Sequence, residues 1–234
     1  MGSVVQNASR PAAKGSLPSA WRKFFLFSSV LLLGTAYLHS QCPETGQTKV
    51  IKPDQGNGYD FYKFIGDSSY RYFLDGKTFS FNDKDDPGRT IVFIDDMAYE
   101  SILVERADLA EYVKSSKTID ILRAQAKHHQ DYFKSGDPSM VITDYGPNSR
   151  KNPDGSEDRL FYLWKKENPP GKAAATQYLL STLIKDGVVV LSLMPLKASV
   201  SEDAVRLQIQ KYTSHFDSLS NTQCKQVLSM PSAP

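Results

Sequence analysis

Along this chain the spacing of apolar residues changes character several times, and each change predicts a different kind of element. The first is an unbroken run: Phe24 to Leu38 holds 15 residues without a charge. As a helix it would reach about 22 Å, against about 30 Å for a bilayer's hydrocarbon core. Trp21 before it, and Tyr37 with His39, Ser40 and Gln41 at its end, extend it to a spanning length with aromatic rings at headgroup depth. Residues 24–41 are therefore expected to be a transmembrane signal-anchor or a signal peptide. Lipidation at Cys42 is a further alternative, although "LHSQ" lacks the small residues such a signal places before the cysteine. Residues 42–58, rich in Pro, Gly and polar residues, show almost no periodicity and predict a linker.

From Tyr59 the rhythm becomes alternation. "YDFYKF" (59–64), with four aromatics in six residues, predicts either a first strand covering a sheet or an exposed docking patch made of Tyr59, Phe61, Tyr62 and Phe64. Strands are expected at 70–75, 78–83, 90–96 and 99–107, with a turn over 83–88. Asp108 is placed to cap a helix through Leu109, Tyr112 and Val113, broken at Ser115 and Ser116. A second helix runs from Thr118 to Phe133 on a stripe of Leu122, Ala126, His129 and Phe133. A strand follows at 140–145, and the Pro, Asn and Gly residues of 146–158 predict a loop.

The last third carries three strands, 159–167, 176–184 and 188–195, expected to form a consecutive antiparallel meander. Asp186-Gly187 between the last two predicts a type I′ hairpin turn. A closing helix begins at "SVSED", where Ser199 and Glu202 have capping-box spacing. Along it Val205, Ile209, Tyr212, Phe216 and Leu219 fall on one stripe, which predicts packing on a sheet. Residues 223–234 are expected to be a disordered tail, leaving 59–222 as the domain.

Strands, then a long helical region, then more strands and a terminal amphipathic helix define an α+β domain with an antiparallel sheet covered by helices. The segment "GKAAATQYLLSTLIKDGVVVLSLMPLKASVSEDAVRLQIQKYTSHFDSL" resembles the end of the PsbP-like superfamily. That resemblance covers residues 70–220 in element order and about fifty residues in pattern. It implies an α-β-α sandwich with a central antiparallel sheet, here preceded by the N-terminal apolar helix. It also implies a docking or assembly role without catalysis, and no functional residue of the family carries over.

Charge adds direction to the apolar run. Arg10, Lys14, Arg22 and Lys23 all precede or abut it, and the first acidic residue is Glu44. A cationic leader over 1–23 stays cytoplasmic by the positive-inside rule, so the domain is expected on the far side, the bacterial periplasm being the preferred compartment. A eukaryotic type II protein would show the same pattern. Removing those four cations from the net +2 leaves −2 for the remainder, with no basic block for nucleic acid. The two cysteines, Cys42 and Cys224, are free to pair in an oxidising compartment.

Candidate chemistry is sparse. His128 and His129 in "HHQD" point about 100° apart on a helix and lack the i, i+4 spacing of a metal pair. His215 sits one step off the closing stripe and is expected to be exposed. Asp95 and Asp96 end a strand, where acids can bind metals or serve as general acid-base groups, although a strand-end turn is the commoner explanation. The sequence has no GxSxG elbow, P-loop, dinucleotide fingerprint or Cys/His cluster, and so names no catalytic residue, cofactor or metal. The leading expectation is a non-catalytic, membrane-anchored envelope protein whose exported domain docks to an unidentified envelope protein. The alternatives are a periplasmic hydrolase or metal-dependent enzyme using Asp95 or Asp96, and a carrier of a small apolar ligand.

Overall fold

A computed structural model describes residues 42–44, 46–54, 56–82, 89–152, 154–169 and 176–233. The leader 1–23, the apolar run 24–41 and the turn 83–88 lie outside them. In chain order the elements are β1 (Thr48–Ile51), β2 (Tyr59–Lys63), β3 (Tyr70–Leu74), β4 (Phe79–Asn82), β5 (Arg89–Ile94) and β6 (Met97–Glu105). There follow α1 (Arg106–Leu109), α2 (Thr118–Gly136), β7 (Val141–Lys151), β8 (Glu157–Glu167), β9 (Thr176–Ile184) and β10 (Gly187–Pro195). The chain closes with α3 (Glu202–His215), β11 (Asp217–Ser218) and α4 (Asn221–Ser229).

The domain is α+β and holds two antiparallel sheets. Seven strands lie in the order β4-β5-β6-β10-β9-β8-β7, and four in the order β1-β2-β3-β11. The expected meander of β8, β9 and β10 is present, with Phe161 opposite Thr182 and Leu191 opposite Leu180. β10 is buried from Gly187 to Leu193 without alternation because both of its faces are covered. On the inner face, Leu191 and Leu193 join Tyr70 and Tyr72 of the small sheet and Val205, Ile209, Tyr212 and Phe216 of α3. On the outer face, Val188 and Val190 join Leu122 and Ala126 of α2 and Trp164 of β8. Val205, Ile209, Tyr212 and Phe216 are buried on one stripe as their spacing predicted, but α3 ends at His215, and Leu219 lies beyond it, past β11, packed with Cys42 and Cys224 instead.

Several expectations are corrected. The linker over 42–58 is part of the fold: Cys42 is buried, and β1 pairs with β2 from Thr48 opposite Lys63 to Ile51 opposite Asp60. Four residues are too few to show periodicity, and β1 is held by its pairing with the aromatic β2. The tail over 223–234 is also folded. Ser220 and Gln223 form a capping box at the start of α4, Cys224 and Val227 are buried, and Ala233 N–H donates to the Val50 carbonyl at 2.8 Å.

The cap of α3 is Ser201, which accepts from Ala204 N–H, because Val200 is drawn into a turn by the Lys197 carbonyl and the helix begins two residues later than Ser199 would allow. α1 is only four residues long, with Glu105 at its N-cap and Asp108 inside its first turn. The expected loop over 146–158 is mostly strand: β7 continues to Lys151 through an irregularity between Asp144 and Gly146. Gly146 takes φ 79° there, and Pro147 is tolerated because β7 is an edge strand with one side unpaired.

The β9–β10 turn is not type I′. Gly187 pairs with Ile184, so Lys185 and Asp186 form the turn, and neither Asp186 nor Gly187 has positive φ. Glycine is required at 187 for another reason: a Cβ there would stand 2.2 Å from the Val104 carbonyl oxygen on β6.

Candidate functional site

The aromatic candidates form core rather than a surface. Tyr59, Phe61, Tyr62 and Phe64 are 6%, 0%, 8% and 2% exposed, which removes them as a docking patch. The pleat divides them. Phe61 stacks on Tyr72 at 5.2 Å between the sheets, whereas Tyr62 and Phe64 pack with Cys42, Leu219, Cys224 and Val227 on the reverse of the small sheet. Each fully buried ring contributes about 2 to 3 kcal/mol relative to exposure, so burial prevails over display.

Cys42 and Cys224 form a disulfide with Cα atoms 5.5 Å apart, and both are buried between the small sheet and α4. The Cys42 N–H also donates to the Asn221 side chain at 3.0 Å, so the first described residue is fixed to α4 twice.

Asp95 and Asp96 are turn residues between β5 and β6, where Ile94 pairs with Met97. Asp95 has φ 49°, a conformation that Asp tolerates better than most residues. Its carboxylate accepts from the Lys77 and Thr78 N–H groups and from the Thr78 hydroxyl. Desolvation, the largest single influence, opposes its ionised form, but these hydrogen bonds together outweigh it and hold its pKa below the ordinary carboxylate value. Asp96 pairs with Lys197 at 2.7 Å. Both carboxylates therefore have structural partners already.

The histidines diverge as expected. His128 stacks on Tyr112 with ring centroids 4.2 Å apart, while His129 faces the sheet. Buried Ser181 of β9 donates to Gln125 Oε1 at 2.7 Å, and Gln125 Nε2 meets His129 Nδ1 at 3.0 Å. Desolvation, then the neighbouring His128, push the His129 pKa down. This relay ties α2 to the sheet. Among the described residues no group of three His, Cys, Asp or Glu side chains is arranged to hold a metal ion. His215 is exposed at the end of α3, its ring 5.2 Å from that of Phe73.

Sequence reasoning missed the polar groups that join the two sheets. Lys63 on β2 is 1% exposed and donates to Thr90 of β5 at 2.8 Å and to Thr48 of β1 at 3.2 Å. Arg150, Asp158, Asp217 and Arg71 form a chain of ion pairs from the edge of the large sheet to the edge of the small one. Only the extended β7 places Arg150 there, and the sequence had assigned that segment to a loop.

Beyond the Phe161–Thr182 pair, β8 and β9 separate and side chains replace the ladder: the Thr182 hydroxyl donates to the Leu160 carbonyl and Arg159 Nη1 to the Leu183 carbonyl. An open cleft of about 400 Å³ lies there, lined by Thr118, Ser149 and Thr182 with Glu157, Asp158 and Arg159. Its Arg159 sits over the Phe216 ring at 4.9 Å, and Asp158 is held by Arg150. The cleft's charges are thus largely committed to the fold.

Among the described residues, part of the outer face of β5 is exposed. α2 lies across β7, β8 and β9, and α1 touches β6 and β10, while the outer face of β5 carries Ile91 and Phe93. Phe93 is 42% exposed and stands opposite Ala98 of β6, while Ile91 stands opposite Glu100, so a carboxylate interrupts this face.

No protein-family model matches this chain, and no curated protein matches it. Among the described residues no helix is long and apolar enough to cross a membrane.

Proposed function

We propose that this protein is a non-catalytic, membrane-anchored envelope protein whose exported, PsbP-like domain docks to another envelope protein. The observation that carries the proposal is the buried Cys42–Cys224 disulfide, which fits an oxidising compartment and begins directly behind the apolar run. A PsbP-like build is supported by α2 packing on the outer face of the large antiparallel sheet and α3, beside β3, sharing its inner face with the small sheet. The docking surface passes from the buried Tyr59 group to the outer face of β5, around Ile91 and Phe93, bordered by Ala98 and Glu100 of β6. The enzyme alternative loses its main candidates, since Asp95 and Asp96 already serve a turn and an ion pair.

The test has two arms. Alkaline phosphatase fused behind residue 45 is expected to be active, and an inactive cytosolic fusion would refute export. A pull-down from detergent-solubilised membranes is expected to recover one stoichiometric envelope protein with the wild-type chain and to lose it with Phe93→Asp. Equal recovery by both would refute the docking face.

A further inference from the structure

The large sheet ends in β7, whose outer side pairs with no strand among the described residues. Which residues face that open side follows from the strand next to it. The Leu160 carbonyl of β8 accepts from Thr182 of β9, so Leu160, and by alternation Trp164 and Lys166, turn their backbone groups toward β9. Ile142 and Asp144 stand opposite Lys166 and Trp164 and therefore turn theirs to the open side. Pro147, opposite Tyr162, does the same, and there its missing N–H costs no ladder bond. The other edges are short or engaged: β4 has 4 residues, β11 has 2, and β1 gives its Val50 carbonyl to Ala233, whereas β7 has 11. The second half of β7 carries devices that discourage pairing, namely the irregularity after Asp144, Pro147 and the cations Arg150 and Lys151. Its first half lacks them. The one charge there, Asp144, already accepts from Gly146 N–H and the Tyr162 hydroxyl, each at 2.8 Å, and Val141 is 49% exposed.

We propose that β7 pairs antiparallel with β7 of a second copy of this chain, about a twofold axis at Thr143, joining the two large sheets edge to edge. The occupant is a second copy because the open stretch is complementary to itself. Its outward backbone groups belong to Ile142 and Asp144, on either side of Thr143. With the axis at Thr143, Ile142 of each copy exchanges both backbone bonds with Asp144 of the other, and none of these groups is left over. The side chains agree. Ile142 packs with the outer core, so Val141, Thr143 and Tyr145 lie on the inner face. Pairing sets Thr143 against Thr143 and the exposed Val141 against Tyr145, whose ring is already held by Glu202 and Arg206. Such β-branched and aromatic neighbours are favourable across strands. Like charges do not meet, since Asp144 is the one charged residue from Val141 to Tyr145 and it faces Ile142. The interface is isologous and closes at two copies, and its small size makes it reversible and concentration-dependent. It needs neither the membrane span nor the Phe93 face.

The test uses the full chain in detergent. Sedimentation velocity over a concentration series reaching about 100 µM is expected to show a monomer passing into a dimer. Thr143→Glu faces Lys165 of β8 within its own fold but brings like charges together on the axis, so it is expected to stay monomeric at every concentration. A second arm does not depend on that variant. The chain's two cysteines are joined to each other, so a new cysteine reports alone. On the axis the Cα atoms of two Thr143 residues stand about 4.5 Å apart, within the roughly 4.4 to 6.8 Å that a disulfide spans. Mild oxidation is therefore expected to link Thr143→Cys chains several-fold faster than Ser149→Cys chains, whose cysteine lies on the same strand beyond Pro147. A dimer that persists unchanged in Thr143→Glu, with equal linking at the two positions, would place self-association elsewhere and overturn the proposal. A wild-type chain that stays monomeric, again with equal linking, would also overturn it and leave the edge to an extended segment of a different protein.

Discussion

Arg150 and Asp217 meet at 3.2 Å across the gap between the edge strands β7 and β11, one in each sheet. The same guanidinium donates to the Phe216 carbonyl at 2.7 Å and pairs with Asp158 at 2.6 Å. It therefore serves the end of α3, the small sheet and its own hairpin at once. Its side chain is only 16% exposed, so these bonds are screened less than those of a surface pair.

Replacing Arg150 with Met keeps the aliphatic bulk and removes every one of those bonds, leaving Asp217 with Arg71 alone among these cations. The expected cost is about 2 kcal/mol, between a surface pair and a fully buried one. Urea denaturation should show a lower midpoint with an unchanged slope. A loss under about 0.5 kcal/mol would mean that the pair is incidental.

Acid should loosen the same junction. Desolvation opposes ionisation of Asp217, but hydrogen bonds from Arg71 and Arg150 prevail and hold its pKa below 3.8; Arg150 chiefly lowers that of Asp158. Groups with depressed folded pKa values give stability that is present above the unfolded value and is lost as pH falls through the folded one. Asp60 works the other way: desolvation raises its pKa, so its contribution is present below 3.8 and fades as pH rises through the folded value. Asp217→Asn is expected to lower stability at neutral pH and to flatten the acid limb below about pH 4, measured by denaturation across pH. A variant curve parallel to the wild type would refute the assignment.

The disulfide closes a separation of 182 residues, which in the chain-entropy model stabilises by up to about 5 kcal/mol. Reduction, or Cys224→Ser, is expected to lower stability by about 2 to 5 kcal/mol and to free α4 first, seen as faster amide exchange in Asn221–Ser229 than in α2. In the oxidised protein neither thiol should react with alkylating reagent. Full labelling without reductant would refute the pairing.

Two glycines offer a paired test of close approach. Gly187→Ala is expected to cost about 2 kcal/mol or more because its Cβ would collide with the Val104 carbonyl. Gly136→Ala, at the end of α2 with nothing within 4 Å, should be neutral or stabilising by about 0.5 kcal/mol. Thermal denaturation of the two variants side by side decides it, and equal midpoints would remove the steric argument.

The sequence by itself determined the elements that bury a periodic face. Val205, Ile209, Tyr212 and Phe216 could be read as one stripe because helical spacing alone puts them together, and the strands from β8 to β10 are long enough to show their pattern. It did not determine β1, the second half of β7 or α4, whose stability comes from partners remote in the chain. β1 exists by pairing with β2, β7 by pairing past a bulge with β8, and α4 by a cysteine 182 residues away. Such contacts leave no local periodicity to read. Tertiary structure alone also decided the face of each aromatic. Tyr59 and Phe61 turn to the space between the sheets while Tyr62 and Phe64 turn to α4, and a local aromatic count cannot tell display from burial when a strand is covered on both sides.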